Sequence, residues 1–257
     1  MSNFPPRHGG QRVLPDNPFT CESDCESAPL VFNYTLEEGV SEMLSHFCTI
    51  PEAVEEVRAG RVLIVIDDEN RENEGDFMVA AEKVTPEIIN FMSRHGRGLI
   101  CLPTTKQRLA ELDIPIMVDG KTSTADTPFT VSVDAVNGVT SGISAHDRAI
   151  SAQLFVQPDT SPEDFERPGH LFPLQARDGG VLERDGHTEA TVDLMRLAGL
   201  YPAGVLCEVL DEDGSMARLP RLVEIADEHH LKIATIKDLI EYRLEEELVL
   251  EFACSGG

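Results

Sequence analysis

No apolar run in this 257-residue chain approaches the ~20 residues needed to cross a bilayer, which excludes a spanning helix. The first residues, Met1-Ser2-Asn3-Phe4-Pro5-Pro6-Arg7, lack an apolar signal core, so a cytoplasmic protein is expected. Positive charge is scarce: 21 Lys and Arg stand against 46 Asp and Glu, a formal net charge of −25. Affinity for nucleic acid comes mainly from neutralising phosphates, so that partner is disfavoured and none is expected. Small phosphorylated ligands are not excluded, because a few local Arg side chains and backbone N–H groups can hold one. The six cysteines (Cys21, Cys25, Cys48, Cys101, Cys207 and Cys254) form no C-x-x-C pair, and without a secretory signal they read as reduced thiols. There is no internal repeat. Residues 1–34, rich in Pro, Gly, Asn and Ser, read as an extended or disordered arm. Residues 35–248 are ample for one domain, and 249–257 read as a tail.

What is present is a concentration of acid. Val62-Leu63-Ile64-Val65-Ile66 reads as a strand buried on both faces. It runs into Asp67-Asp68-Glu69-Asn70-Arg71-Glu72-Asn73-Glu74-Gly75-Asp76, six carboxylates in ten residues with one Arg between them. Carboxylates that close repel, so either water separates them or a cation draws some together. An EF-hand loop with its turn glycine at Gly75 would close on Ala81, which carries no ligand oxygen, so that motif is excluded. Carboxylates without thiolates suit Mg²⁺, which leaves coordination positions open for oxygen-rich substrates.

The remaining pattern interleaves strands and helices without strict alternation. It predicts an α/β fold, a layered single domain with a mixed sheet flanked by helices. Helices are expected over 36–47, from Pro51, from Thr85-Pro86-Glu87, from Ser144, over 188–197, near 219–230 and over 236–247. Strands are expected at 77–81, 99–102, 127–134, 171–174, 205–210 and 232–234. Residues 104–112 read as a connection and 157–169 as a break. Pro173 reads as the mark of an edge or bulge.

A second stretch, Gly179 to Thr191, brings Arg184, Asp185, Gly186, His187 and Thr188 to the mouth of a helix. Free N–H groups, a positive dipole end, a hydroxyl and a guanidinium fork together suit a phosphate, although a plain capped helix accounts for the same residues. His187 could complete a metal site begun by the acidic loop. Glu208 lies inside an apolar strand, where it either faces solvent or enters a polar pocket with a raised pKa. His170 follows Arg167-Pro168-Gly169 as a proton shuttle or a mere strand-end residue.

Four ordered motifs then carry a resemblance: Asp68-Glu69-Asn70-Arg71-Glu72-Asn73-Glu74-Gly75-Asp76, Thr140-Ser141-Gly142-Ile143-Ser144-Ala145, Arg167-Pro168-Gly169-His170 and Gly186-His187-Thr188-Glu189-Ala190. Together they resemble the 3,4-dihydroxy-2-butanone 4-phosphate synthases of riboflavin biosynthesis, from about residue 36 to 246. The arm and the Pro-rich 157–166 segment depart from the family core, and a fused GTP cyclohydrolase II domain has no room in 257 residues. The resemblance implies conversion of ribulose 5-phosphate to formate and L-3,4-dihydroxy-2-butanone 4-phosphate, with Mg²⁺ or Mn²⁺, in a homodimer with sites at the subunit interface. It implies Glu72 and His187 as metal ligands. It implies His170 and Glu208 as acid–base residues, with Asp76, Glu74 and Asp67 also among the catalytic carboxylates. Arg71, Glu72, Asp76, Glu208 and the Arg184–Thr188 loop would contact substrate, Arg184 and Thr188 at the phosphate, and Cys101 and Thr140 would line the site. A metal-dependent sugar-phosphate isomerase or aldolase and a silent phosphometabolite sensor are the competing readings. The fold-related YrdC-like nucleotide binders would need more basic surface.

Overall fold

Alternation along the strands decides the layering. The computed structural model describes residues 46–118 and 127–255, with side chains described through 248. The arm, Cys21, Cys25 and nearly all of the helix expected over 36–47 lie outside the described residues. Strands β1 (Leu63–Ile66), β2 (Gly75–Ala80), β3 (Cys101–Thr104), β4 (Val133–Ala135), β5 (Phe165–Gln175), β6 (Gly204–Glu208) and β7 (Lys232–Thr235) form one mixed sheet. Their order is β4-β5-β3-β6-β2-β1-β7, with β1/β7 and β3/β5 parallel and the other neighbours antiparallel.

All six residues of β2 are buried, because both faces of the sheet are covered. Phe77 and Val79 enter the cluster packed by α2 (Pro86–Phe91), α4 (Ala145–Phe155) and α6 (Leu219–His229). Met78 and Ala80 enter the opposite cluster with α1 (Ile50–Arg58), α5 (His187–Leu197) and α7 (Ile236–Ser255). Each fully buried Leu, Met or Phe here contributes roughly 1.5–3 kcal/mol, so this two-sided core is the main source of stability. The helix starts follow their capping residues. Thr49 and Glu52 make a capping box, while Thr85 and Ser144 accept N–H bonds from Ile88 and Asp147.

Five expectations need correction. The connection over 104–112 contains a helix, α3 (Lys106–Glu111), started by the Thr105 hydroxyl. The strand expected over 127–134 is reduced to β4 plus bridges at Phe129 and Thr130. β5 begins at Phe165, inside the expected break. Pro173 is not on an edge, since β5 lies between β4 and β3. Its carbonyl accepts from Thr130 N (3.2 Å) and Thr130 Oγ1 (2.8 Å), and the register irregularity falls at Val133/Asp134 instead. The final helix also runs past the expected tail boundary, to Ser255.

The sheet places the acidic stretch on a hairpin. Ile66 pairs with Gly75, so residues 67–74 leave and re-enter the sheet at adjacent points. A Cβ on Gly75 would lie 2.5 Å from Leu222 Cδ1, so α6 packs directly on the exit of that loop.

Candidate active site

Asp67 organises the acidic loop from within. Its Oδ1 accepts from Glu74 N (2.8 Å), and its Oδ2 accepts from Glu72 N and Arg71 Nη1 (both 2.9 Å). Arg71 Nη1 also donates to Glu72 Oε2 at 2.6 Å, and its Nε faces Asp185 at 3.5 Å. Outside the loop, Arg218 at the start of α6 donates to the carbonyls of Glu72 (2.8 Å) and Asn73. Six carboxylates thus hold a fixed path because buried and exterior donors offset their repulsion. Removing the outer clasp (Arg218→Ala) is expected to weaken Mg²⁺ binding about tenfold by calorimetry, within the 10–100-fold range for groups that orient ligands. Unchanged affinity would mean Asp67 alone sets the loop.

The second element is the mouth of α5. Gly186 is its N-cap, and His187 and Thr188 are buried in its first turn. Arg184 Nη1 donates to the wholly buried Glu189 (Oε2, 2.6 Å) and its Nη2 to Thr127 Oγ1 (3.0 Å). Glu189 Oε1 also accepts from Arg177 N at 3.0 Å. The next buried acid on that face, Asp193, accepts from Val181 N (2.9 Å), Arg196 and Arg243.

Sheet parity joins the two elements. Asp76 and Glu208 are opposite residues of antiparallel β2 and β6, and both share the face that carries Met78 and Leu206. They border a cavity of about 220 Å³ with Arg71, Glu72, Glu74 and Cys101. Arg184, His187 and Thr188 complete its polar wall. Glu208 is held by Leu99 N, which donates to Oε2 at 2.8 Å. Burial, then the charges of Glu208 and Glu74, push the Asp76 carboxyl well above its usual range. Glu74 is raised by the same causes, burial first and then Glu72. Burial pushes the His187 imidazole down, against the pull of Asp67, so its ring is neutral at pH 7. Burial raises the Cys101 thiol far enough to make it a wall and not a nucleophile.

These groups fit a divalent cation. One ligand atom each from Asp67, Glu72 and His187 lies within 4.8 Å of the others, with His187 Nδ1 3.9 Å from Glu72 Oε2. His187 Nε2 and Asp76 Oδ1 are buried without a hydrogen-bond partner among the described residues. A carboxylate and imidazole donor set of this kind suits a hard ion.

Not every expected residue meets the cavity. Asp67 lies beneath the loop, Gly186 serves as a cap, and the Asp185 carboxylate is largely exposed beside Arg71. Thr140 donates to Asp147 Oδ2 (2.9 Å) in the loop before α4, away from the lining. His170 on β5 is paired with Asp134 of β4 and is not part of the lining, although it stands only two residues from Phe172, which pairs with the cavity-lining Cys101. Sequence reasoning passed over Thr127, Phe129, Leu174 and Leu206, which also line the cavity. Apolar wall residues carry no chemical signature; only their strand parity with Asp76 and Glu208 could have marked them.

A model of the family described as 3,4-dihydroxy-2-butanone 4-phosphate synthase matches residues 51–242. The chain belongs to that family. A riboflavin biosynthesis protein RibBA from Aquifex aeolicus is 58% identical over 212 residues, covering 82% of this chain and 52% of its own length. A 3,4-dihydroxy-2-butanone 4-phosphate synthase of Neisseria meningitidis serogroup B is 52% identical, covering 81% of this chain and 57% of its own. The chain thus spans about half the length of these curated relatives. Among solved structures, a synthase of this name in complex with two magnesium ions superposes with TM-score 0.76 at 43% identity, covering 78% of this chain and 99% of that one. The Candida albicans enzyme gives 0.71 at 45% identity, with 76% and 97% covered. Among the described residues, no helix is long and apolar enough to cross a membrane.

Proposed function

We propose that this member of the synthase family is a lyase that converts ribulose 5-phosphate to 3,4-dihydroxy-2-butanone 4-phosphate and formate, using Mg²⁺ or Mn²⁺. The observation that carries the reading is the single cavity onto which Glu72, Asp76, Glu208, Arg184, His187 and Thr188 converge. Glu72 and His187 would hold the cation, since the oxygens of Asp67 already accept three N–H groups. When bound, the cation supplies Lewis-acid stabilisation of negative oxygen. Arg184, Thr188 and the N-terminal N–H groups of α5 bind the phosphate. Glu208, fixed by Leu99 N, accepts protons beside the substrate ketone to give an enediolate, while Asp76, whose carboxyl is held well above its usual range by burial and by Glu208, donates them. Loss of the carbon 1 hydroxyl, a skeletal rearrangement and release of carbon 4 as formate each need further proton transfers. Carboxylates whose pKa values are spread by mutual repulsion can supply them. Phe129, Leu174 and Leu206 exclude water from the reacting carbons.

His170 and Thr140 enter through a second copy of the chain. Their absence from the lining of this protomer's own cavity supports a homodimer in which each protomer completes the other's site. Exposed apolar side chains near both regions, Leu99 (41%), Val136 (43%) and Ile143 (53%), support the same face.

Formate release from ribulose 5-phosphate is the deciding assay. We expect it with Mg²⁺ and expect its loss in excess chelator. Sugar-phosphate isomerisation without formate would sink the proposal in favour of an isomerase.

A further inference from the structure

We propose that Asp134 is a positioning residue for His170: it fixes the imidazole with its proton on Nδ1 and presents Nε2 as the base. This rests on the catalytic reading of His170 given above. Asp134 on β4 accepts twice from one residue, its Oδ1 from His170 N at 2.8 Å and its Oδ2 from Nδ1 at 2.6 Å. Backbone and ring are therefore held by a single carboxylate, which removes the freedom of the ring to turn. The Asp134 side chain is 11% exposed while that of His170 is 42% exposed, so the clamp is inside and the working end of the ring faces out.

The surroundings are shaped for the pair. Gly142 has φ +83°, and a Cβ there would lie 1.9 Å from Asp134 Oδ2 and 2.6 Å from His170 Nδ1. Only glycine lets the 140–144 loop close over the dyad. That loop is held by Asp147 of α4, whose Oδ2 accepts from Gly142 N (3.1 Å) and Thr140 Oγ1 (2.9 Å). Of the charged groups nearby, Glu166 stands opposite Asp134 in the β4/β5 register and is exposed. Asp134 faces the ring, Asp147 is turned to the loop with His146 3.6 Å away, and Arg167 Nη2 donates away to Leu112 O. Asp134 is therefore the carboxylate that selects the tautomer.

With Nδ1–H committed to Asp134, the Nε2 lone pair takes a substrate proton. The electron pair of the broken bond stays on the substrate, and the new imidazolium charge faces the Asp134 carboxylate. An amide at 134 offers an N–H to Nδ1 and so favours the opposite, Nε2–H tautomer. In triad enzymes the same change lowers turnover by about 10⁴-fold.

The test is Asp134→Asn in the full chain with Mg²⁺, read by formate kinetics and by nitrogen NMR of protein labelled at histidine. We expect kcat to fall at least about 10²-fold, with KM within about twofold, and the His170 ring to change from the Nδ1–H to the Nε2–H form. Turnover within threefold of the parent, or an unchanged tautomer, overturns the proposal. The Nε2–H form in the unaltered protein overturns it without any variant. His170→Ala separates the two levels: its full activity removes His170 from the chemistry and this inference with it. If His170→Ala is inactive and Asp134→Asn is fully active, only the inference falls.

Discussion

Glu72→Gln is expected to lower formate production by about 10³-fold, the scale on which removal of a charge-stabilising group acts, while melting temperature changes little. The amide keeps the size of the side chain and an oxygen that accepts from Arg71 Nη1, so the loop retains its path over Asp67. What disappears is the negative charge facing His187, and with it the cation. Calorimetric titration with Mg²⁺ should therefore show no binding near neutral pH, with an unchanged circular dichroism spectrum. His187 sharpens the experiment: its ring is neutral at pH 7, so its own lone pair is present in both proteins and loss of the metal reports on Glu72 alone. Turnover near the parent level would remove Glu72 and His187 as the metal site.

Asp76→Asn is expected to separate activity from stability. The wholly buried Asp76 carboxyl keeps its proton far above its ordinary value of 3.8, because burial and Glu208 oppose the charge. Between the unfolded and the raised folded pKa the native state binds more protons than the unfolded chain. Stability therefore falls as pH rises through that window, and the loss is complete above the folded pKa. Asn has no proton to lose, so this penalty vanishes. In chelator at pH 8 the variant should melt above the parent by a few degrees, about what 1 kcal/mol yields in a domain of this size. The gap should close as pH falls toward 4. Glu74, also raised, contributes a slope of the same sign to both proteins and cancels in the comparison. Turnover should fall by about 10²-fold or more, since the amide cannot donate and recover a proton as an acid does. A variant that melts below its parent at pH 8, or that keeps its turnover, contradicts this account.

Much of the site could be read before the fold because its chemistry is concentrated. An acidic run after a buried strand and an Arg-x-x-His-Thr helix mouth are both local patterns, and both reach the cavity through Glu72, Asp76, Arg184 and His187. Helix starts were legible where a Thr or Ser cap precedes them, as at Thr85 and Ser144. α3 was not, although Thr105 caps it, because its six residues show no helical period and it lacks the first-turn proline and acid that mark the equally short α2. β5 was obscured by Pro168 and Pro173, each a reasonable breaker in isolation; Pro173 is accommodated because Thr130 asks only for its carbonyl. Asp134 was passed over for another reason. It sat in an alternating strand pattern, and only the pairing of β4 with β5 brings it to His170.

The two buried acids on α5 have a consequence for how this sequence can be edited. Glu189 and Asp193, one turn apart, each hold a backbone N–H and a guanidinium supplied by the preceding loop or by α7. Residues 177–196 therefore behave as one cassette. A graft that transplanted the helix without its loop would bury Glu189 without its guanidinium and strip Asp193 of a backbone N–H, and a loop shortened by a residue would pull Val181 or Arg184 off its acceptor. Recombination between relatives should tolerate crossovers on either side of this segment and reject those inside it.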